Sequence, residues 1–203
     1  MDPAFLNVTA SLTGRRWVGP GPDQDRLAEA MAQTTRLPLP LCRILAARGI
    51  APPDAAAFLS PTLKDLLPDP RSLRDMEKAA TRFLAAVAKG ERIAIFADYD
   101  VDGGASAALL IIWLRAMGRQ ATLYIPDRID EGYGPNVPAM QTLAANHSLI
   151  LCVDCGTLSH EPVAAAAPAD VVILDHHLVL ETLPAAHAIV NPNRQDEDGS
   201  LAH

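Results

Sequence analysis

Five short apolar runs fill the second half of this chain, and stretches with helical patterning separate them. Residues 92–97, 121–125, 148–153, 170–174 and 188–190 each read as a buried strand. Runs this short, with no polar residue in every second place, suit strands covered on both faces. Between them lie an apolar helix at about 105–117 stopped by Gly118, and further helices at about 136–145 and 159–167. Strands alternating with helices predict an α/β fold with a mostly parallel sheet and helices on both faces. A sheet of that kind opens its binding crevice at the C-terminal ends of the strands. Asp98, Asp154 and Asp175 fall at those ends.

The part before residue 91 is different. Residues 1–20, with Gly14, Gly19 and Pro20, read as an extended arm. Helices are expected at 23–32, 41–48 and 53–59, punctuated by Pro38, Pro40 and Pro61. A fourth, at 72–88, carries Leu73, Met76, Ala80, Phe83, Leu84 and Val87 at close to helical spacing. The pattern divides the chain into a small helical N-terminal region, 1–90, and an α/β domain, 91–203.

Composition narrows the classes. Of 203 residues 49% are hydrophobic and 20% charged, so a packed core is expected. No apolar run is long enough to cross a bilayer, and the N-terminus has no secretion-signal pattern. Cys42, Cys152 and Cys155 make no disulfide framework, and Cys152-x-x-Cys155 alone is weak evidence of zinc or redox chemistry. These features point to a cytoplasmic protein without a membrane partner. Net charge is -7, but residues 1–90 hold 12 Lys and Arg against 9 Asp and Glu, and the remainder 5 against 15. Bound divalent ions would neutralise part of that acidic excess, so charge neither supports nor excludes a DNA substrate.

The acidic residues are clustered. Asp98, Asp100 and Asp102 alternate, so in an extended stretch they point the same way. Like charges gathered on one side repel unless a cation compensates. Gly103 and Gly104 allow a tight turn after them. Asp154 and Asp175-His176-His177 follow later strands. Carboxylates with imidazoles suit a pair of divalent ions such as manganese or magnesium. Two such ions bind phosphate oxygens and turn water into a nucleophile, so the reading is metal-dependent phosphodiester hydrolysis. Adjacent histidines point in different directions: one ligates, and the other contacts substrate or assists proton transfer.

FADYDVDGGAS at 96–106, LCVDCG at 151–156 and DHH at 175–177 together resemble the DHH phosphoesterase superfamily. Within it, DYDVDG, PDRIDEGYGPN at 126–136 and IVNPNRQD at 189–196 resemble the RecJ-type single-strand-specific DNA exonucleases. SLTGRRW and AFLSPTLKDLLPDP are similar to the N-terminal region of that group. The resemblance implies that Asp100, Asp102, Asp154 and His176 or His177 ligate manganese or magnesium, with Asp98 and Asp175 in the same constellation. It implies cutting of single-stranded DNA from the 5′ end in recombination and repair, by a monomer that has repair partners such as a helicase or a single-strand-binding protein. Asp154 is expected to bridge the two ions.

Arg128, Tyr133 and Gly134 are then expected near the metals. Arg128 either binds a phosphate or pairs with Asp127 or Glu131, and Tyr133 stacks on a base. The N-terminus of the helix after Gly104 is a second expected phosphate site. Two departures stand out. This chain has Gly103-Gly104-Ala105-Ser106 where the family usually has GATS, and Ala97 where it usually has glycine. The sequence also stops before a further metal-binding aspartate of the family, which implies an incomplete catalytic domain with weak or absent cutting. Alternatives are a non-catalytic binding module for nucleic acid or a protein partner, and a phosphoesterase for small nucleotides or pyrophosphate.

Overall fold

Successive residues of a strand face opposite sides of a sheet, and the first strand shows it directly. Ile93, Ile95 and Ala97 enter one apolar cluster, while Ala94 and Phe96 enter another. The computed structural model describes residues 4–199 and 201. They form two compact units, one running to Pro68 and the other starting at Asp69.

In the first unit, α1 (Pro22–Thr35) and α2 (Leu39–Ala47) are followed by the short helices α3 (Ala55–Leu59) and α4 (Leu63–Leu66). Ala28 and Met31 of α1 pack with Cys42, Leu45 and Ala46 of α2 and with Ala55. The expected extended arm instead folds back on itself. Phe5 N–H donates to Trp17 O and Trp17 N–H to Val8 O, and Gly14, with φ +73°, makes the turn between them. Backbone groups that would otherwise need water thus pair within the arm.

The second unit runs α5 (Met76–Lys89), β1 (Ile93–Ala97), α6 (Val101–Ala116), β2 (Ala121–Tyr124), α7 (Val137–Ala144), β3 (Leu149–Val153), α8 (His160–Ala165), β4 (Asp170–Leu174) and β5 (Ala188–Val190). All strands are parallel in the order β2-β1-β3-β4-β5. The expected α/β architecture is what forms: Ala79, Ala86, Val87, Ala107 and Leu114 of α5 and α6 cover one face. Met140, Leu143 and Val163 of α7 and α8 cover the other.

α5 explains why the units divide at 68/69 and not at 90. Its alanine and valine face packs on β5 and shares one apolar cluster with β1 and β3, so it belongs with the sheet although it looks like one more helix of the N-terminal series. The outer edge of β5 meets side chains in place of a sixth strand. Asp75 Oδ2 accepts Ile189 N–H at 3.1 Å, and Arg194 Nη1 donates to Ile189 O at 2.6 Å.

Strand order reverses at β1: β2 lies to one side of it and β3 to the other. The loops leaving β1 and β3 therefore separate from each other and leave a crevice at their C-terminal ends.

Candidate metal centre

Asp98 and Asp154 are the first residues past β1 and β3, so both lie at that crevice. Asp98 is only 2% exposed and Asp154 only 5%. Backbone bonds hold them: Asp98 N–H donates to Val153 O, and Asp154 N–H to Leu174 O. Asp154 has φ +61°, a left-handed conformation that aspartate tolerates better than most residues and that breaks the strand direction at the site.

Asp100 caps α6. Its Oδ1 accepts Asp102 N–H at 2.9 Å and Gly103 N–H at 3.1 Å. The helix therefore starts at Val101 and not near 105, because Asp100 supplies the N-cap that the pair of glycines seemed to exclude. Two expectations change. Asp98, Asp100 and Asp102 do not share a face of an extended stretch, since Asp102 already sits in the first helical turn. At the start of α6, Asp100 already takes the N–H groups of Asp102 and Gly103, two of the donors a phosphate would use there. A Cβ on Gly103 would lie 2.4 Å from Asp98 O, so glycine is what lets α6 approach the end of β1. A Cβ on Gly104 would meet nothing within 4 Å.

The side chains converge in two overlapping groups. Ligand atoms of Asp98, Asp100 and Asp154 lie within 4.8 Å of one another, and so do those of Asp154, His176 and His177. Asp154 belongs to both. Asp102 is in neither group, but with Asp154 and His176 it lines an adjoining cleft of about 540 Å³. Asp175 is also outside both groups and orients its neighbours: His177 Nδ1 lies 2.7 Å from its Oδ1, which also accepts His176 N–H and His177 N–H.

The charges are held uncomfortably close. Burial pushes the Asp98 carboxyl up, and the Asp100 charge adds to the effect. Asp154 is pushed up to about 6, by burial first and by Asp100 beside it second. Asp100 moves down because the Gly103 N–H stabilises its charge. Burial opposes ionisation of Asp175, but bonds from Thr157 and His177 outweigh it and its pKa is lowered. Burial alone would lower His177, yet its bond to Asp175 raises it.

Asp98 Oδ1 and both Asp154 carboxylate oxygens are buried without a hydrogen-bond partner. His176 Nε2 stands 3.0 Å from Asp154 Oδ1, close enough for attraction but off the direction of a hydrogen bond. Burying an ionised, unpaired carboxylate is expensive, and a cation removes that cost. Oxygen and imidazole donors around Asp154 fit manganese, and the carboxylate group fits magnesium as well.

The remaining expected residues are distributed differently. Tyr133 is half exposed, but its hydroxyl turns inward, donating to Asp154 O at 3.1 Å and lying 3.1 Å from His177 Nε2. That placement makes it a neighbour of the ligands before any base could stack on it. Arg128 forms no ion pair with Asp127 or Glu131 among the described residues. Its guanidinium lies 5.4 Å from the Tyr99 ring centre, while Glu131 serves Tyr124, Asn136 and Asp127 N–H. Gly134 is buried with φ +74°, so its part is to shape the loop. Cys152 and Cys155 are buried free thiols, and burial pushes both pKa values up, so neither forms a thiolate readily.

Three residues that pattern reading passed over stabilise the centre. Thr157 donates to Asp175 Oδ2 through both its backbone N–H and its hydroxyl. Asn191 is wholly buried and donates to Thr157 Oγ1 and His177 O. Asn193 donates to His176 O. A clue was present, because Asn191 ends β5 as Asp98, Asp154 and Asp175 end their strands.

Known proteins are similar to this chain in sequence and in fold. RecJ of Bacillus subtilis, described as a single-stranded-DNA-specific exonuclease, is 36% identical over 88% of this chain and 23% of its own length. RecJ of Escherichia coli, with the same description, is 38% identical over 79% of this chain and 28% of its own length. The chain thus spans about a quarter of the length of these relatives. The manganese complex of RecJ from Thermus thermophilus superposes with TM-score 0.67 and 26% identity, over 89% of this chain and 25% of that one. A second RecJ structure bound to manganese gives TM-score 0.57 and 31% identity, over 62% and 33%. The DHH family, N-terminal domain, matches residues 92–202, which takes in every carboxylate and histidine of the centre. On that match, and on the sheet that carries it, this chain belongs to the DHH family.

Proposed function

We propose that this chain carries the metal-binding part of an exonuclease that hydrolyses single-stranded DNA from its 5′ end in recombination and repair, with manganese or magnesium. The observation that carries the reading is the buried carboxylate of Asp154, which has no hydrogen-bond partner and is shared by two groups of ligand atoms each within 4.8 Å. Asp98, Asp100 and Asp154 would hold one ion, and Asp154, His176 and His177 the other. Asp102 reaches the same cleft from the first turn of α6 and would hold water or phosphate oxygen at its wall. When bound, a divalent pair neutralises phosphate charge and activates a water for in-line attack.

The chain's own residues do the remaining work. Asp175 holds the His177 ring in place, and the backbone bonds at Asp98 and Asp154 keep their carboxyls from separating. Tyr133, on a loop between Gly132 and Gly134, borders the centre beside His177. Arg128, with no ion pair within 4 Å among the described residues and its charge felt by Asp98, would meet a phosphate on the incoming strand. No described helix is long and apolar enough to cross a membrane. We place the protein in the cytoplasm as a monomer, working with a helicase or a single-strand-binding protein.

The test is an assay of this polypeptide with manganese on 5′-labelled single-stranded DNA and, in parallel, on pyrophosphate. Release of 5′ mononucleotides from the strand alone supports the proposal. Hydrolysis of pyrophosphate alone would replace it with a small-molecule phosphoesterase. Strand retention without release would leave a binding module.

A further inference from the structure

Behind the two histidines runs a line of buried hydrogen bonds whose directions can be settled one by one. Asn193 N–H can only donate, and it points at Asn191 Oδ1 at 2.8 Å. The Asn191 amide is thereby oriented, so its Nδ2 donates to His177 O at 3.0 Å and to Thr157 Oγ1 at 3.1 Å. Having accepted from Asn191, the Thr157 hydroxyl gives its single proton to Asp175 Oδ2 at 2.6 Å. The same oxygen receives Thr157 N–H at 3.0 Å. Asp175 Oδ1 takes the N–H groups of His176 and His177 at 2.8 and 3.2 Å. A carboxylate with this many donors has no place for a proton of its own, so at 2.7 Å the partner Nδ1 of His177 must donate.

We infer that Asn191 and Thr157 are positioning residues that fix the tautomer of His177, keeping the proton on Nδ1 and the lone pair on Nε2. The identity of the ligating nitrogen is thus decided by an asparagine beyond β5 and a threonine beyond β3, neither of which touches the cleft. Tyr133 hydroxyl lies 3.1 Å from Nε2 and 3.2 Å from Nδ1, so the contact with Asp175 alone tells the two nitrogens apart. Both positioning side chains are almost completely buried, Asn191 at 0% and Thr157 at 1% exposed, so solvent does not compete for their bonds. The inference rests on the metal-centre reading for its consequence but not for its geometry.

The experiment uses metal-free protein labelled with nitrogen-15 in histidine, with the ring signals of His177 read by long-range proton–nitrogen correlation while the ring is neutral. The unmodified chain should show Nδ1 protonated and Nε2 bare. Thr157→Val should mix the two tautomers and weaken manganese binding, measured by electron paramagnetic resonance of free manganese, about tenfold. Thr157→Ser, which keeps the hydroxyl, should restore both readings. Protonation on Nε2 in the unmodified chain overturns the inference, whether or not the valine variant folds. A folded Thr157→Val chain with unchanged tautomer and unchanged manganese affinity overturns it as well. If the tautomer responds as stated but the unmodified chain takes up no manganese, the relay stands and the metal-centre reading falls.

Discussion

The two ends of the sheet treat charge in opposite ways. At the N-terminal end, Arg82 reaches Asp170 at 2.6 Å and Glu91 at 2.7 Å, and Ser148 hydroxyl donates to Glu91. Each carboxylate there has a protein partner, and Glu91 titrates low because Arg82 bonds it. At the C-terminal end, Asp98 and Asp154 are more deeply buried, face Asp100 and lack any hydrogen-bond partner for three of their oxygens. One end supplies its own counter-charge. The other leaves the place for one from outside, and this asymmetry distinguishes a site from a structural ion pair.

Removing the central C-terminal carboxylate should have the largest effect. Asp154→Asn keeps the left-handed backbone, yet should weaken manganese binding by at least about 100-fold, in excess of what supporting residues usually cost. In metal-free protein the same change removes repulsion and should raise the melting temperature. If manganese affinity survives, the contrast between the ends is wrong.

Gly103→Ala comes next, because its Cβ would run into the Asp98 backbone, which cannot move aside without distorting β1. We expect a loss of about 2–3 kcal/mol in denaturant unfolding, of the size of other overpacked sites. Arg82→Met tests the N-terminal end. Its pairs are partly exposed, so the loss should be about 1–2 kcal/mol, with manganese affinity unchanged. A change in affinity would show that the ends are coupled.

Acidity separates them too. Asp154 has its pKa raised to about 6 from 3.8, so the metal-free fold gains stability from it below pH 3.8 and loses that as pH rises through 6. The melting-temperature difference between the metal-free unmodified chain and Asp154→Asn, which isolates this group, should therefore grow as pH rises through that window, and manganese should reverse it above pH 6. Glu91 behaves conversely: its lowered pKa gives stability above the ordinary carboxylate value that is lost only at more acid pH. Melting curves from pH 3 to 8, with and without manganese, will show whether the two slopes separate. The smallest effect is a gain. Gly104→Ala fills open space inside α6 and should add up to about 1 kcal/mol in thermal unfolding.

Much of this was legible from residue order. β4 and β5 occupy the stretches read for them, since their apolar runs have abrupt polar ends. The start of α6 was misread because two glycines look like a loop, whereas the capping role of Asp100 appears only once its side chain is seen against Asp102 and Gly103. Gly103 is required by a contact with Asp98, which no pattern along the chain reveals. α5 was assigned to the wrong neighbour because periodicity shows that a helix has an apolar face but not what that face meets. At the centre, Asp98, Asp100, Asp154, His176 and His177 were named from sequence and do converge. Thr157 and Asn191 were not, because a lone threonine or asparagine looks the same along a chain whether it is buried or on the surface.

The end of the sheet at β5 has a consequence for the life of the protein in a crowded solution. Where Asp75 and Arg194 occupy the outer backbone groups of Ile189, a stray strand from another molecule finds nothing there to grip. A rim left open at that place would invite copies to zip together into fibres. Asp75 and Arg194 thus close this edge at Ile189, the middle residue of β5.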